Sequence, residues 1–147
     1  LEQIHSEIIR NLIDIVVGQA AFHQGIVVDL SVTGIMELPD SLEMELFEIM
    51  SIVLDNAVAA LEGQADGLLQ IEINSAEVQS IINANTLQKD IDIERIYKPD
   101  IERGKTHGYG LKRVREIVLR HPCIEHFTYK SGEYHGRTIL VQHIYLT

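Results

Sequence analysis

The chain has 147 residues, 46% apolar and 23% charged, and its 22 acidic against 12 basic groups give a formal net charge of −10. That length supports one compact domain with a real core and leaves little room for a second. The acidic balance, with 5% aromatics and no Trp, excludes a general nucleic-acid or anionic-membrane surface, because both carry the same sign of charge and repel it.

The longest uncharged window, Ile15 to Val28, is broken by Gly18, Gln19, His23 and Gln24 and is too short to cross a bilayer. No signal peptide is visible. A single cysteine, Cys123, allows no internal disulfide and no cysteine-based zinc cluster. The expected setting is the cytosol. The chain opens at Leu1 without a Met, and the expectation is a piece of a longer protein.

In chain order, Ile4 to Phe22 places Ile4, Ile8, Leu12, Ile15, Val16 and Ala20 along one stripe and predicts an amphipathic helix. Gly25 ends it, and Ile26 to Val32 is β-branched and bounded by glycines, which predicts a strand. Pro39, Asp40 and Ser41 lead into the clearest helix, with Asp40 or Ser41 as its N-cap and Glu43 and Glu45 near the positive end of its dipole. That helix runs through Leu42, Leu46, Ile49, Val53 and Leu61 and stops at Gly63; Met44, Phe47 and Met50 read as core.

Leu68 to Asn74 and Val78 to Asn83 predict an antiparallel strand pair around a Ser75–Glu77 turn. From Thr86 to His107 the apolar pattern disappears under charge, as in a functional loop or lid. Little burial offsets the ordering entropy of such a loop, so mobility without ligand is expected. Gly108, Tyr109 and Gly110 then open a helix through Leu111, Val114, Ile117 and Val118 that ends near His121 and Pro122. Ile124 to Lys130 and Arg137 to Leu146 close the chain as two strands around a turn at Ser131, Gly132 and Glu133. This order predicts one domain over 1–147, a two-layer α/β sandwich with a mixed, mainly antiparallel sheet covered on one face by about three helices. No strand is followed by a GxGxxG or a Walker-type loop.

Two features carry chemistry. Asn56 stands among Ile52, Val53, Ala59 and Ala60 on its helix, so its amide should sit in a half-buried setting and meet either a backbone carbonyl or water, or a ligand or metal. Gly108-Tyr109-Gly110-Leu111-Lys112 opens a helix, where free N–H groups and the dipole favour an anion. Lys105, His107 and Lys112 place three potential cations around it. His5, His23, His121, His126, His135 and His143 form no metal pair at helical spacing, and His5 is given no phospho-acceptor role.

An Asp-Asn-Ala late in one helix, a strand ending in Asn, a variable loop and Gly-x-Gly-Leu opening another helix together resemble the ATP-binding domain of the Bergerat fold. Histidine kinases, gyrase-type ATPases and chaperones of the GHKL group share it. The runs IVLDNAVAAL and GKTHGYGLKRVREIV are most similar to the Gram-positive peptide-pheromone quorum-sensing kinases of the accessory-gene-regulator type.

The resemblance implies that Asn56 coordinates a magnesium ion bridging the ATP phosphates. It implies that Gly108 and Gly110 belong to a phosphate-holding glycine box, that the lid spans Thr86 to His107 with Lys105 as its phosphate contact, and that Asn83 stands near the adenine-accepting acid of an Asp-x-Gly-x-Gly box. That box is missing, its stretch reading Ile82-Asn83-Ala84-Asn85-Thr86, while Ile52 and Ala59 replace polar residues common beside the magnesium Asn. The cofactor-binding set so implied is Asn56, Asn83, Lys105, His107, Gly108, Gly110, Leu111 and Lys112, with Asn56 on the metal and ATP and Mg²⁺ as cofactors.

The implied partners are a histidine-bearing dimerisation domain of the same protein, homodimeric in full length, and a response regulator. No nucleic acid and no direct membrane contact is implied. Residues 1–23 would be a linker helix toward that dimerisation domain, within a membrane-bound receptor kinase. The alternatives are a degenerate, nucleotide-free interaction module and an anti-sigma-factor-type serine kinase.

Overall fold

A computed structural model describes residues 1–22, 25–95 and 109–147. The expectations placed on Lys105, His107, Gly108 and the lid beyond Arg95 lie outside the described residues.

The chain runs as β1 (Ile4–His5), α1 (Glu7–Phe22), β2 (Val27–Thr33), β3 (Met36–Glu37), α2 (Asp40–Leu61), β4 (Leu68–Asn74), β5 (Gln79–Thr86), a 3₁₀ turn (Ile93–Arg95), α3 (Tyr109–Arg120), β6 (Ile124–Tyr134) and β7 (Arg137–Leu146). Five strands form one sheet in the order β2-β4-β5-β7-β6. Only β2 and β4 run parallel, joined through α2, and the other neighbours are antiparallel. A single core unites all three helices with one face of the sheet, through Ile13 on α1, Leu46, Ile49 and Leu54 on α2, Val114 on α3, and Leu69, Ile71, Ile81 and Ile144 on the strands. The expected two-layer sandwich is therefore present. No helix among the described residues is long and apolar enough to cross a membrane.

Several local expectations are corrected. The first six residues do not join the helix: Ile4–His5 pairs with Met36–Glu37 as a short parallel ribbon. The Ser6 hydroxyl accepts the Ile9 amide at 3.4 Å, which fixes the helix start behind it. The buried line on α1 is Ile9, Ile13, Val16 and Ala20, about one residue round from the expected stripe, and Ile15 is 60% exposed. Both lines have the three- and four-residue spacing of a helix face and share Val16 and Ala20, so periodicity alone could not choose between them.

Neither Asp40 nor Ser41 caps α2; Pro39 stands before it with no side-chain capping bond. Its pre-set φ suits a helix entry without a donor. Met44, expected in the core, is 61% exposed. Strand β5 extends three residues past Asn83 to Thr86. The closing turn is not at Ser131–Glu133. His135 and Gly136 have φ of 50° and 76°, the left-handed pair that a two-residue hairpin needs, and the expected turn is a register shift between Lys130 and Glu133.

The sheet's outer face carries Phe127 and Tyr145 edge to face at 5.9 Å, and His143 stacked on Tyr145 at 4.1 Å. Burial pushes the imidazole of His143 below its ordinary value of 6.5, against a smaller upward pull from Glu72. The unfolded chain then takes up the proton first, so stability is full above about pH 6.5 and falls as pH drops toward the lowered folded value. The thermal midpoint of His143→Phe, which keeps the ring stack and removes the titration, is expected to fall less between pH 7 and pH 5 than that of the wild type.

Candidate functional site: a cleft between the second helix, the third helix and the sheet

The C-terminal half of α2 thins to Ala57, Ala59 and Ala60, and the space these small side chains leave is a cleft of about 340 Å³. Val53, Asn56 and the alanines form one wall and Leu111 of α3 the other. Asn85, Leu140 and Gln142 make the floor, and Leu87, Gln88, Lys89 and Ile91 the rim. Its walls are apolar with a few polar groups between them, as in a site for a planar organic ligand.

The structure brings Asn56, Gly110 and Leu111 together. Asn56 is exposed rather than half-buried, because the helix wall around it is lined by alanine, and its amide has no hydrogen-bond partner among the described residues. Gly110 lies against the same turn of α2: a Cβ there would stand 2.8 Å from Ile52 Cγ2 and 4.0 Å from Asn56 Nδ2. Glycine is thus required for α3 to open this close to α2.

An exposed carboxamide oxygen without a partner is a suitable hard donor for a magnesium ion, and the first turn of α3 beside it offers backbone N–H groups to an anion. Lys112 is exposed on α3 and does not line the cleft. Lys89 is the one cationic side chain that does so among the described residues.

Asn83 is not in the cleft lining; it is 1% exposed under the helices, and neither of its amide atoms has a partner among the described residues. Two residues on, Asn85 is the strand asparagine that reaches the cleft. Sequence reasoning passed over it because the strand was ended too early, although two asparagines at i and i+2 in an apolar run mark one polar face.

A buried network holds Asn85 in place. Gln64 Nε2 donates to the carbonyls of Ala60 at 2.6 Å and Thr86 at 2.9 Å. The Thr86 hydroxyl donates to Gln64 Oε1 at 2.7 Å and accepts the Leu68 amide at 2.9 Å. Asn85 Nδ2 donates to the Thr86 carbonyl at 3.0 Å, which leaves Oδ1 as the acceptor without a partner among the described residues. Thr86→Val strands the Leu68 amide and Gln64 Oε1 in the interior, and an expected cost of about 2 kcal/mol would be read as a lower urea midpoint at unchanged slope.

A second groove, of about 430 Å³, lies between α2 and α3, lined by Glu45, Glu48, Asp55, Arg113, Arg120 and His121 among others. Arg113 spans Glu48 with Nε at 2.8 Å and Nη2 at 3.2 Å, and that hydrogen-bonded guanidinium holds the Glu48 carboxyl below the usual range. Three carboxylates against two arginines, one of them already paired with Glu48, make this groove a poor seat for an anion.

The comparisons with known proteins agree with this architecture. The chain superimposes on the histidine kinase AdeS of Acinetobacter baumannii with a TM-score of 0.62 at 14% identity, covering 95% of this chain and 64% of that one. On the catalytic domain of the histidine kinase ThkA, in a nucleotide-free form, the TM-score is 0.66 at 17% identity, covering 96% and 91%. On full-length ShkA in complex with AMPPNP it is 0.67 at 18% identity, covering 95% and 30%. The chain thus spans under two thirds of AdeS and about a third of ShkA, and at these identities the likeness speaks for a shared fold. No curated protein matches the chain in sequence. The GHKL domain family profile matches residues 43–136, a span that begins in α2, includes the whole cleft except Leu140 and Gln142, and ends in the closing hairpin. The chain belongs to the GHKL domain family.

Proposed function

We propose that this chain is the ATP-binding catalytic domain of a sensor histidine kinase, presenting Mg-ATP to a histidine on a separate dimerisation domain. The observation that carries the reading is the meeting of Asn56 and Gly110 beside a cleft that has a strand asparagine on its floor. Asn56 Oδ1 would hold the magnesium ion, and the N–H groups of Gly108, Gly110 and Leu111 would hold the phosphates, with Lys105, His107 and Lys112 as neighbouring charges. Asn85 takes the adenine-accepting place that the sequence suggested for Asn83.

The metal, when bound, supplies charge neutralisation between the phosphates. The chain's own residues position them. The apolar walls at Val53, Leu87, Leu111 and Leu140 would exclude water from one face of the base, and the α3 N-terminus would hold the phosphates in an acidic protein that otherwise repels them. Phosphoryl transfer of this kind rests on positioning more than on a base within the domain.

The histidine would then pass its phosphoryl group to a response-regulator Asp. The full protein would be a homodimeric, membrane-bound receptor kinase with α1 leading toward its dimerisation domain, and the two motif runs suggest the peptide-pheromone class. A nucleotide-free interaction module is the second reading, favoured by the absence of an acid at the strand end and by Ile52 beside the metal position.

Thermal-shift titration separates the two. ATP with magnesium should raise the midpoint in a concentration-dependent way, by about 2.7 kcal/mol of added stability at a hundredfold excess over Kd; no shift at millimolar nucleotide would favour the interaction module. The 147-residue chain by itself is expected neither to autophosphorylate nor to hydrolyse ATP quickly, since this reading puts the acceptor histidine on a separate domain; radiolabel transfer to the chain itself would contradict this.

A further inference from the structure

Gln142 on the cleft floor is held in one orientation by its neighbours. It stands on β7 between Asn83 of β5 and Thr128 of β6 in register, is 5% exposed and lines the cleft. Its Oε1 faces two donors, the Thr128 hydroxyl at 2.7 Å and His126 Nε2 at 2.6 Å. With His126 in its Nε2–H tautomer, both contacts are donations to Gln142. In that tautomer, exchanging the amide's oxygen and nitrogen would set an NH₂ against the His126 N–H, which disfavours the flipped rotamer.

The Gln142 NH₂ therefore has a fixed direction away from β6, and it has no partner among the described residues. It is a held donor that the described residues do not use, on the floor of the cleft. Asn85 Oδ1, two residues along β5 from the register partner of Gln142, is the matching unused acceptor on the same floor.

We propose that Gln142 reads the base of the bound nucleotide, its NH₂ donating to a ring nitrogen of the purine, with His126 and Thr128 as positioning residues that hold that donor. This rests on the ATP-binding reading and goes beyond its phosphate and metal contacts. A donor and an acceptor on one floor fit a heterocycle edge that carries an acceptor nitrogen beside an amino group, and adenine has such an edge. A donor that the bound base covers rejects an analogue lacking the acceptor, because the donor is then left unpaired.

Calorimetric titration of the 147-residue chain with Mg-ATP and with its 1-deaza, 3-deaza and 7-deaza analogues tests this by binding alone. The wild type should lose about tenfold in affinity for one of the three analogues. Gln142→Leu should lose about as much for ATP and nothing further for that analogue. Equal affinity of wild type and Gln142→Leu for ATP, or an equal loss against all four ligands, would overturn the proposal.

Because Gln142→Leu strands two donors, Thr128→Val supplies the second arm. It should weaken ATP binding severalfold and shrink the discrimination between analogues, and Thr128→Ser should restore both; a Thr128→Val variant with unchanged discrimination counts against the proposal. The side-chain NH₂ resonances of Gln142 should shift on adding Mg-ATP to the wild type, and their indifference to saturating nucleotide would also overturn it. Wild-type chain that binds no Mg-ATP overturns the ATP reading and this inference together, whereas wild-type binding with an insensitive Gln142→Leu overturns this inference alone.

Discussion

Asn56→Ala is expected to remove magnesium-dependent ATP binding while leaving the fold at least as stable as before. The side chain is exposed at the cleft wall and makes no hydrogen bond among the described residues, so truncation breaks nothing within the domain. Alanine is also the better helix former by several tenths of a kcal/mol, so the thermal midpoint without nucleotide should hold or rise slightly.

A direct metal ligand lies at the top of the range for residues around a metal site, and the expected loss in Mg-ATP affinity is roughly hundredfold. Calorimetry with the metal and with a chelator checks it: the difference between the two conditions should vanish in the variant. Unchanged Mg-ATP affinity in folded Asn56→Ala would remove this residue from the metal site.

Gly110→Val should damage both stability and binding. Even a single Cβ would meet Ile52 Cγ2 at 2.8 Å, and Ile52 is a β-branched side chain on a helix, stiff at χ1 and unable to swing away cheaply. Relief has to come from moving the start of α3 outward, at an expected cost of about 1–3 kcal/mol for an overpacked site. The same movement draws the α3 amides from the Asn56 side of the cleft, and Mg-ATP affinity should fall at least tenfold.

The pair Gly110→Ala with Ile52→Ala tests the cause. If the clash is the mechanism, the double variant recovers stability relative to Gly110→Ala alone, a coupling of the kind expected for residues in contact. Strictly additive losses would mean that the glycine serves another purpose.

Much of this fold is legible in the sequence because two signals agree at several places. The apolar spacing of α2 and the glycine after it, and the alternation in β4, placed those elements to within a residue or two. The failures lie where one signal had to decide alone. On α1 two apolar lines share helical three- and four-residue spacing, and only packing against α2 and the sheet selects the one through Ile9 and Ile13. At the hairpin, Ser131-Gly132-Glu133 is a better turn by composition than Tyr134-His135-Gly136, yet cross-strand register with β7 carries the pairing on to Tyr134 and Arg137.

The site divides in the same way. Asn56, Gly110 and Leu111, which the structure brings together, are legible as candidates because helix position and glycine chemistry are local. Asn85 and Gln142 were not, since their meaning comes from a floor assembled by three strands distant in sequence. A lone glutamine in the run Ile139-Leu140-Val141-Gln142-His143-Ile144 was the available signal.

The central claim is that Mg-ATP occupies the cleft between α2, β5 and α3, and hydrogen exchange with and without saturating Mg-ATP tests it most directly. Amides from Asn56 to Ala60, from Asn85 to Lys89 and between Lys98 and Leu111 should gain protection, while those of β6 at Phe127 and Tyr129, on the open face of the sheet, should exchange as before. Equal exchange throughout, or protection confined to the groove around Glu48 and Arg113, would contradict the account.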